Sequence, residues 1–196
     1  MALAVGSSDF GTVGIIELGI LKRHGLQAGH SVIDLGCGSG RLAKQLGLAF
    51  PKLRYHGIDV VPELLSYAAT KSPQHFRFSL NENIAIPSPD DSVDFVTAFS
   101  VFTHLFHEES YCYLLDAKRA IKPGGKIIFS FLESSNHWPT FEHVLSVIGH
   151  RGPLTMFMER SQIEVWAEHL GLNLVFGDSC DLGQSVAVLS KPAIVI

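Results

Sequence analysis

The sequence contains few cysteines, and they are widely separated. Cys37, Cys112 and Cys180 are the three cysteines in a chain of 196 residues. An odd number at such spacing does not make a disulfide framework, and it suits a reducing compartment. Cysteine usage therefore predicts a cytoplasmic protein.

Basic charge is also scarce. Fifteen Lys and Arg residues stand against nineteen Asp and Glu, which gives a formal net charge of -4 and a sequence pI of about 6.2. The chain has no cluster of Lys and Arg residues. Because nucleic acids and anionic lipids are bound through basic patches, we expect neither as a partner.

Long hydrophobic runs are missing although hydrophobic residues make up 46% of the chain. The longest apolar stretches, such as Phe95–Phe102, are far shorter than a membrane span. Met1–Phe10 has neither the basic start nor the apolar stretch of a signal peptide. These absences predict a soluble protein without a membrane segment.

What the chain does have is a regular alternation of apolar and amphipathic segments, without a linker or a low-complexity tract. We therefore expect one domain over residues 1–196. The apolar runs predict seven strands: Ser31–Gly36, Leu53–Asp59, His75–Leu80, Val93–Phe99, Lys126–Leu132, Leu172–Phe176 and Ser185–Ser190. Helical spacing predicts helices over Arg41–Phe50, Pro62–Lys71, Glu108–Ile121 and Glu159–Leu170.

This alternation is typical of βαβ units, and it predicts a mainly parallel sheet with helices on both faces. Lys122–Gly125 is expected to form a turn before the fifth strand. Gly177–Gly183 is too short for a crossover helix, so the last two strands should be antiparallel to each other. The predicted fold class is α/β, with a mostly parallel seven-stranded sheet and an antiparallel last strand.

The first strand leads directly into a glycine-rich turn that opens a helix. Gly36, Gly38 and Gly40 occupy alternating positions, which lets the backbone turn tightly and approach a ligand. The helix that follows presents free N–H groups at its first turn. In open α/β sheets the ligand crevice lies at this edge of the sheet.

Two features of the turn differ from a dinucleotide-binding site. The third glycine of the Gly-x-Gly-x-x-Gly pattern would fall on Arg41, and Asp34 stands just before the turn. A carboxylate there would repel a pyrophosphate, but it suits an ammonium or sulfonium cation. The turn therefore favours a positively charged ligand over NAD.

A second acid, Asp59, closes the next strand about 25 residues later. That spacing is close to the one at which an acid accepts hydrogen bonds from ribose hydroxyls. Val60 and Val61 follow and would supply an apolar wall for a purine.

The chain resembles the class I S-adenosylmethionine-dependent methyltransferases. The resemblance covers roughly Ser31–Phe131 and rests on four motifs in the order of that family: Val32-Ile-Asp-Leu-Gly-Cys-Gly-Ser-Gly40, Gly57-Ile-Asp-Val60, Asp91-Ser-Val-Asp-Phe-Val96 and Ile121-Lys-Pro-Gly-Gly-Lys126. It implies a Rossmann-like three-layer sandwich, S-adenosylmethionine as cofactor and methyl transfer as the reaction.

The resemblance also implies roles for individual residues. The turn, with Gly36, Cys37, Gly38 and Gly40, would line the methionine moiety, and Asp34 would orient it. Asp59 would hold the ribose and Val60 would pack on adenine, while Phe99 and Ser100 would face the methyl group. After the third strand many members of the family have an Asp that bonds adenine. This chain has Asn81, Glu82 and Asn83, any of which fits that role.

The sequence does not single out a catalytic base. A base is needed only if the methyl acceptor loses a proton. The candidates near the expected mouth of the site are His104, His107, Glu133 and His137. The ten histidines include no Cys/His cluster with zinc-ligand spacing, so no metal site is expected.

We therefore predict a methyltransferase that acts on a small-molecule acceptor, with Glu133–Arg160 shaping the acceptor site. Two alternatives remain: a non-catalytic domain that binds the cofactor as a sensor or partner subunit, and an NAD-dependent oxidoreductase. The oligomeric state and the acceptor atom do not follow from the sequence.

Overall fold

A computed structural model describes residues 10–148, 154–177 and 183–193. It contains a seven-stranded sheet flanked by helices. The strands are β1 (Ser31–Leu35), β2 (Arg54–Asp59), β3 (Arg77–Leu80), β4 (Val93–Ala98), β5 (Ile121–Phe131), β6 (Asn173–Phe176) and β7 (Ser185–Ser190). The helices are α1 (Phe10–Arg23), α2 (Arg41–Ala49), α3 (Pro62–Lys71), α4 (His107–Ala120), α5 (Trp138–Ser146) and α6 (Arg160–Leu170).

The strand order is β3-β2-β1-β4-β5-β7-β6. All pairs from β3 to β5 are parallel, and β7 runs antiparallel to both β5 and β6. The predicted fold class is confirmed, including the antiparallel last strand. The order reverses between β1 and β4, which opens a crevice at the carboxyl ends of these strands.

Each face of the sheet has its own hydrophobic core. Val32 and Phe95 contribute to a core with α1 and α2, whereas Ile33 and Val96 contribute to one with α4 and α6. Successive side chains of a strand point to opposite faces, so a strand covered on both sides is apolar at consecutive positions. This explains why β1 is buried along its whole length.

The expected turn over Lys122–Gly125 is wrong in its boundaries, because β5 begins at Ile121. Ile121 pairs with Val93 and Lys126 pairs with Phe95, so four residues of β5 bulge out opposite a single residue of β4. The glycines allow this excursion, in which the Gly124 N–H donates to the Lys191 carbonyl at 2.9 Å.

Helix α5 was not predicted and lies within the Glu133–Arg160 excursion. It has no buried residue, and Trp138, at its start, is half exposed. No helix of the described part of the chain is long and apolar enough to cross a membrane.

Gly40 is the N-cap of α2 and has a φ of 82°, and a Cβ there would lie 2.9 Å from the Cβ of Ala68 on α3. We expect Gly40→Ala to lower the free energy of unfolding by about 2–4 kcal/mol, because backbone strain and overpacking combine. Gly29→Ala is the matched control, since Gly29 has a φ of 85° but free space around it. That control should lose about 1–2 kcal/mol, the strain alone. Urea unfolding measures both, and equal losses would contradict the packing role of Gly40.

Candidate active site

A cavity of about 550 Å³ opens at the carboxyl ends of β1, β2 and β4. It is the location expected for a ligand at the reversal of strand order. Its walls are Val13, Glu17, Asp34, Leu35, Gly36, Cys37, Gly38, Arg41, Leu42, Asp59, Val60, Leu64, Asn81, Phe99, Ser100, Val101, His104, Leu105, Tyr113 and Gln184.

The glycine turn forms one wall, and its glycines have different functions. At Gly36 a Cβ would lie 2.5 Å from Val101 Cγ2, so this glycine lets two loops meet. At Gly38, with a φ of 54°, a Cβ would meet no protein atom within 4 Å. Because Gly38 lines the cavity, a side chain there would occupy ligand space. Gly40 does not line the cavity, and its close approach to Ala68 gives it a packing role.

Asp34 places a buried carboxyl group on the cavity wall. Its Oδ2 accepts from the Tyr55 hydroxyl at 2.6 Å and its Oδ1 from the Thr97 hydroxyl at 2.8 Å. Burial raises the pKa of Asp34 to about 6, although the hydrogen bonds from Tyr55 and Thr97 act in the opposite direction. A cation in the cavity would stabilise the ionised form, as expected for a site that binds an ammonium or sulfonium group.

Cys37, between Gly36 and Gly38, is buried beside these acids. Burial, with the neighbouring charges of Asp34 and Asp59, raises the pKa of its thiol far above the usual range. The thiol stays protonated, so Cys37 contributes to the turn rather than acting as a nucleophile.

Asp59 is held at the end of β2 by the glycine turn. The Gly38 N–H donates to its Oδ2 at 2.8 Å and the Val61 N–H to its Oδ1 at 3.0 Å. Each oxygen keeps a further lone pair for a ligand hydroxyl. The adjacent Val60 is 61% exposed and lines the cavity, so it offers an apolar surface beside this acceptor.

An ion pair that the sequence analysis missed completes the charged wall. Glu17 of α1 and Arg41 of α2 form a salt bridge, and Glu17 is almost completely buried. Burial raises the pKa of Glu17 to about 7, while the charge of Arg41 works to lower it. The Arg41 Nε is buried without a hydrogen-bond partner. Another part of the Arg41 side chain is exposed on the cavity wall, where its positive charge suits a ligand carboxylate.

The three residues after β3 that were candidates for binding adenine differ in their position relative to the cavity. Asn81 lines the cavity, whereas Glu82 and Asn83 do not. The Asn81 side-chain amide is held by the carbonyls of Asn83 and Ala85, at 3.1 and 2.9 Å. The Asn83 carbonyl also accepts from the Tyr113 hydroxyl at 3.1 Å.

Phe99 and Ser100 lie on the wall after β4, followed by His104. Carbonyl oxygen only accepts hydrogen bonds. The 2.8 Å contact between His104 Nδ1 and the Leu154 carbonyl therefore places a proton on Nδ1. In the neutral ring, Nε2 then carries the free lone pair.

The other three candidate bases lie outside the cavity. His107 Nε2 contacts the Phe157 carbonyl at 2.9 Å. Glu133 is buried in an ion pair with Arg160 and accepts from the Ser185 hydroxyl at 2.9 Å. His137 Nδ1 lies 3.1 Å from the backbone N–H of Glu133. None of the described residues forms a group of three or more His, Cys, Asp or Glu side chains suited to a metal ion.

Comparison with known proteins agrees with this geometry. A family model of the methyltransferase domain matches residues 33–129. The chain is 29% identical over 174 residues to a ubiquinone biosynthesis O-methyltransferase of Chromobacterium violaceum, covering 81% of this chain and 71% of that protein. It is 28% identical over 102 residues to a malonyl-[acyl-carrier protein] O-methyltransferase of Hahella chejuensis, covering 52% and 36%.

Solved structures show the same fold. Magnesium protoporphyrin IX methyltransferase from Synechocystis, with bound S-adenosylhomocysteine, gives a TM-score of 0.71 at 17% identity over 94% of this chain and 87% of that one. Phosphoethanolamine N-methyltransferase 2 from Haemonchus contortus, in complex with S-adenosylmethionine, gives 0.69 at 18% identity over 91% and 52%.

The fold and the cavity define an α/β protein with a ligand-sized cavity at the carboxyl ends of its parallel strands. With the family match and the relatives, the chain belongs to the class I S-adenosylmethionine-dependent methyltransferases. The predicted family, the enzyme class and S-adenosylmethionine as its cofactor are confirmed.

From the raised pKa of Asp34 we predict that the affinity for S-adenosylmethionine depends on pH. A cationic ligand selects the ionised carboxylate, so the affinity for S-adenosylmethionine should rise about tenfold between pH 5 and pH 7. The ligand-free protein should show the opposite trend in stability. Its folded state retains the Asp34 proton up to about pH 6, so the contribution of this group falls as pH rises from about 4.

Isothermal titration calorimetry between pH 5 and pH 8 measures the affinity. Asp34→Asn should bind S-adenosylmethionine weakly. Its affinity should also lack the part of the pH dependence that comes from Asp34. Glu17→Gln separates the second group that titrates in this range. Adenosine, which has no ammonium or sulfonium group, should bind with little pH dependence. A pH-independent affinity of the wild-type protein for S-adenosylmethionine would contradict the role of Asp34.

Proposed function

We propose that this protein transfers the methyl group of S-adenosylmethionine to an oxygen atom of a small-molecule acceptor. One observation carries the proposal: a single cavity brings together two acids, an Arg–Glu ion pair and a histidine with a free ring nitrogen. The acids and the ion pair fit the cofactor, and the histidine fits the acceptor.

The charges of the cavity match those of the methionine moiety. Arg41, fixed by Glu17, would bind its carboxylate through the part of its side chain that is exposed to the cavity. Asp34 would face its positive charge. The two ionic groups sit on elements that flank the glycine turn, so both ends of the zwitterion have a partner.

The adenosine moiety fits the other side of the turn. Asp59 would accept from the ribose hydroxyls, because both of its oxygens are already oriented by backbone N–H groups. Val60 and Leu105 would enclose the adenine ring from β2 and from the loop after β4. Asn81 would bond its polar edge.

S-Adenosylmethionine supplies a methyl group on a positively charged sulfur, which is already activated for displacement. The protein aligns the acceptor and excludes water. His104 Nε2 would accept the proton that a hydroxyl acceptor loses, and the Leu154 carbonyl would keep the ring in the required tautomer. A ring nitrogen without a partner on a residue of the cavity wall suits an acceptor that loses a proton, such as a hydroxyl group.

Two further observations support a small oxygen acceptor. The relatives from Chromobacterium violaceum and Hahella chejuensis are both named as O-methyltransferases. The chain also has no basic cluster that would hold a nucleic acid.

Ligand-dependent thermal unfolding tests the cofactor. S-Adenosylmethionine or S-adenosylhomocysteine at a hundred times the dissociation constant should stabilise the protein by about 2.7 kcal/mol. For a domain of this size the midpoint should rise by roughly 5–10 °C. Asp59→Ala should abolish most of the rise. A response to NAD instead would support the oxidoreductase alternative. Cofactor binding without turnover on any acceptor would support the sensor alternative.

His104→Gln tests the proton acceptor. Glutamine retains a donor for the Leu154 carbonyl but has no basic nitrogen, so kcat should fall by about a hundredfold or more. The affinity for S-adenosylhomocysteine should stay within about threefold, because His104 is assigned to the acceptor. Activity is measured by labelled methyl transfer to hydroxyl-bearing acceptors found by screening.

His107→Gln is the matched control for this variant. His107 also contacts a backbone carbonyl of the same segment, yet it does not line the cavity. It should retain kcat close to that of the wild-type protein. Equal losses in the two variants would assign both histidines to holding that segment and would contradict proton transfer by His104.

A further inference from the structure

Three polar side chains form a closed ring of hydrogen bonds beside the cavity. The Ser100 N–H donates to Ser130 Oγ at 2.7 Å, and the Ser130 hydroxyl donates to Gln184 Oε1 at 2.6 Å. The Gln184 Nε2 returns to Ser100 Oγ at 3.2 Å. The ring joins the segment after β4, the end of β5 and the residue just before β7.

The ring holds a residue in an unfavourable backbone conformation. Ser100 has a φ of 59°, in the left-handed region that residues with a Cβ rarely adopt. Ser130, whose hydroxyl links the other two, is almost completely buried. Because the buried Ser130 hydroxyl both accepts and donates a hydrogen bond, it forms a specific and rigid connection.

The conformation of Ser100 decides where the next residues lie. Val101 packs against Gly36, and its carbonyl accepts from the His104 N–H at 2.9 Å. The Ser100 carbonyl accepts from the Thr103 hydroxyl at 3.3 Å. The turn at Ser100 thus places both the wall against the glycine turn and the proposed proton acceptor.

We propose that Gln184 is a positioning residue for methyl transfer, which acts through Ser130 and Ser100. Its role in the reaction rests on the proposed function, whereas its structural effect can be measured without an acceptor. Gln184 immediately precedes β7, the strand that runs antiparallel to β5, so it connects this side of the sheet to the methyl-transfer end of the cavity.

The chemistry of the ring explains why a glutamine suits this position. The side-chain amide accepts from Ser130 and donates to Ser100 at the same time. A carboxylate offers only hydrogen-bond acceptors, and an aliphatic side chain offers neither a donor nor an acceptor. Gln184→Leu and Gln184→Glu therefore break different parts of the ring.

Amide hydrogen exchange measured by NMR tests the ring directly. In Ser130→Ala and Gln184→Leu the Ser100 amide should exchange at least tenfold faster. The Gly38 amide, which is bonded to Asp59, should keep its wild-type rate. Ser110→Ala is the matched control, because Ser110 is a buried serine whose hydroxyl has no partner. It should leave Ser100 exchange unchanged.

Binding and turnover provide the second readout. S-Adenosylmethionine should bind about three- to tenfold more weakly to Ser130→Ala and Gln184→Leu, which is the usual effect of one or two lost hydrogen bonds. Adenosine should bind as it does to the wild-type protein. Gln184→Glu keeps an acceptor for the Ser130 hydroxyl, so its affinity for S-adenosylmethionine should fall less than that of Gln184→Leu. With an acceptor in hand, kcat should fall more than KM rises.

Adding Ser100→Gly to Ser130→Ala gives the most specific test. Glycine adopts a positive φ without a steric cost, so the double variant should recover part of the lost affinity. Weaker binding by Gln184→Leu with wild-type exchange at Ser100 would overturn the proposal and indicate a direct contact with the ligand. Unchanged exchange and binding would also overturn it. If the wild-type protein binds no adenosyl ligand, the proposed function fails, but the exchange rates still decide whether the ring holds Ser100.

Discussion

The geometry of the site depends on how the glycine turn after β1 is bonded to the end of β2. The Gly38 N–H donates to Asp59, and the neighbouring Cys37 N–H donates to the Ile58 carbonyl at 3.1 Å. The bond from Cys37 continues the parallel pairing of β1 and β2 past the end of the sheet, and the bond from Gly38 ties the turn to the Asp59 side chain. They fix the turn and orient the carboxylate, so the ligand crevice is preorganised by the fold.

Charge in the cavity follows from burial. Asp34 and Glu17 are carboxyl groups in nearly dry surroundings, and burial raises the pKa of each into the range from about 6 to about 7. Buried charges of one sign need cations, and Arg41 provides only one. Under the proposed function, the ammonium and sulfonium groups of S-adenosylmethionine would supply the missing positive charge. Electrostatic complementarity thus follows from where the sheet places its acids.

Much of the fold and part of the site could be predicted from local sequence. The seven strands and helices α2, α3, α4 and α6 follow from apolar runs with glycine and proline between them, whereas α1 was not predicted. Asp34, Asp59 and the glycines stand next to strand ends, where position along the chain already gives position in the fold. Glu17 and Gln184 carry no such signal, because each lies on an element far away in sequence that only packing brings to the cavity. Helix α5 was not predicted either, and in the structure it buries none of its residues.

The sequence by itself determined the order of strands and helices, the sign of the charge at the glycine turn and the family. These depend on contacts between neighbours in the chain, which periodicity and motif spacing record. Tertiary structure decided which polar residues share the cavity. It placed Asn81 and His104 on the wall and directed Glu133 into a separate ion pair with Arg160. The physical reason is that contacts across the sheet depend on strand register and on close packing. Both arise from many residues together, so no single position in the sequence indicates them.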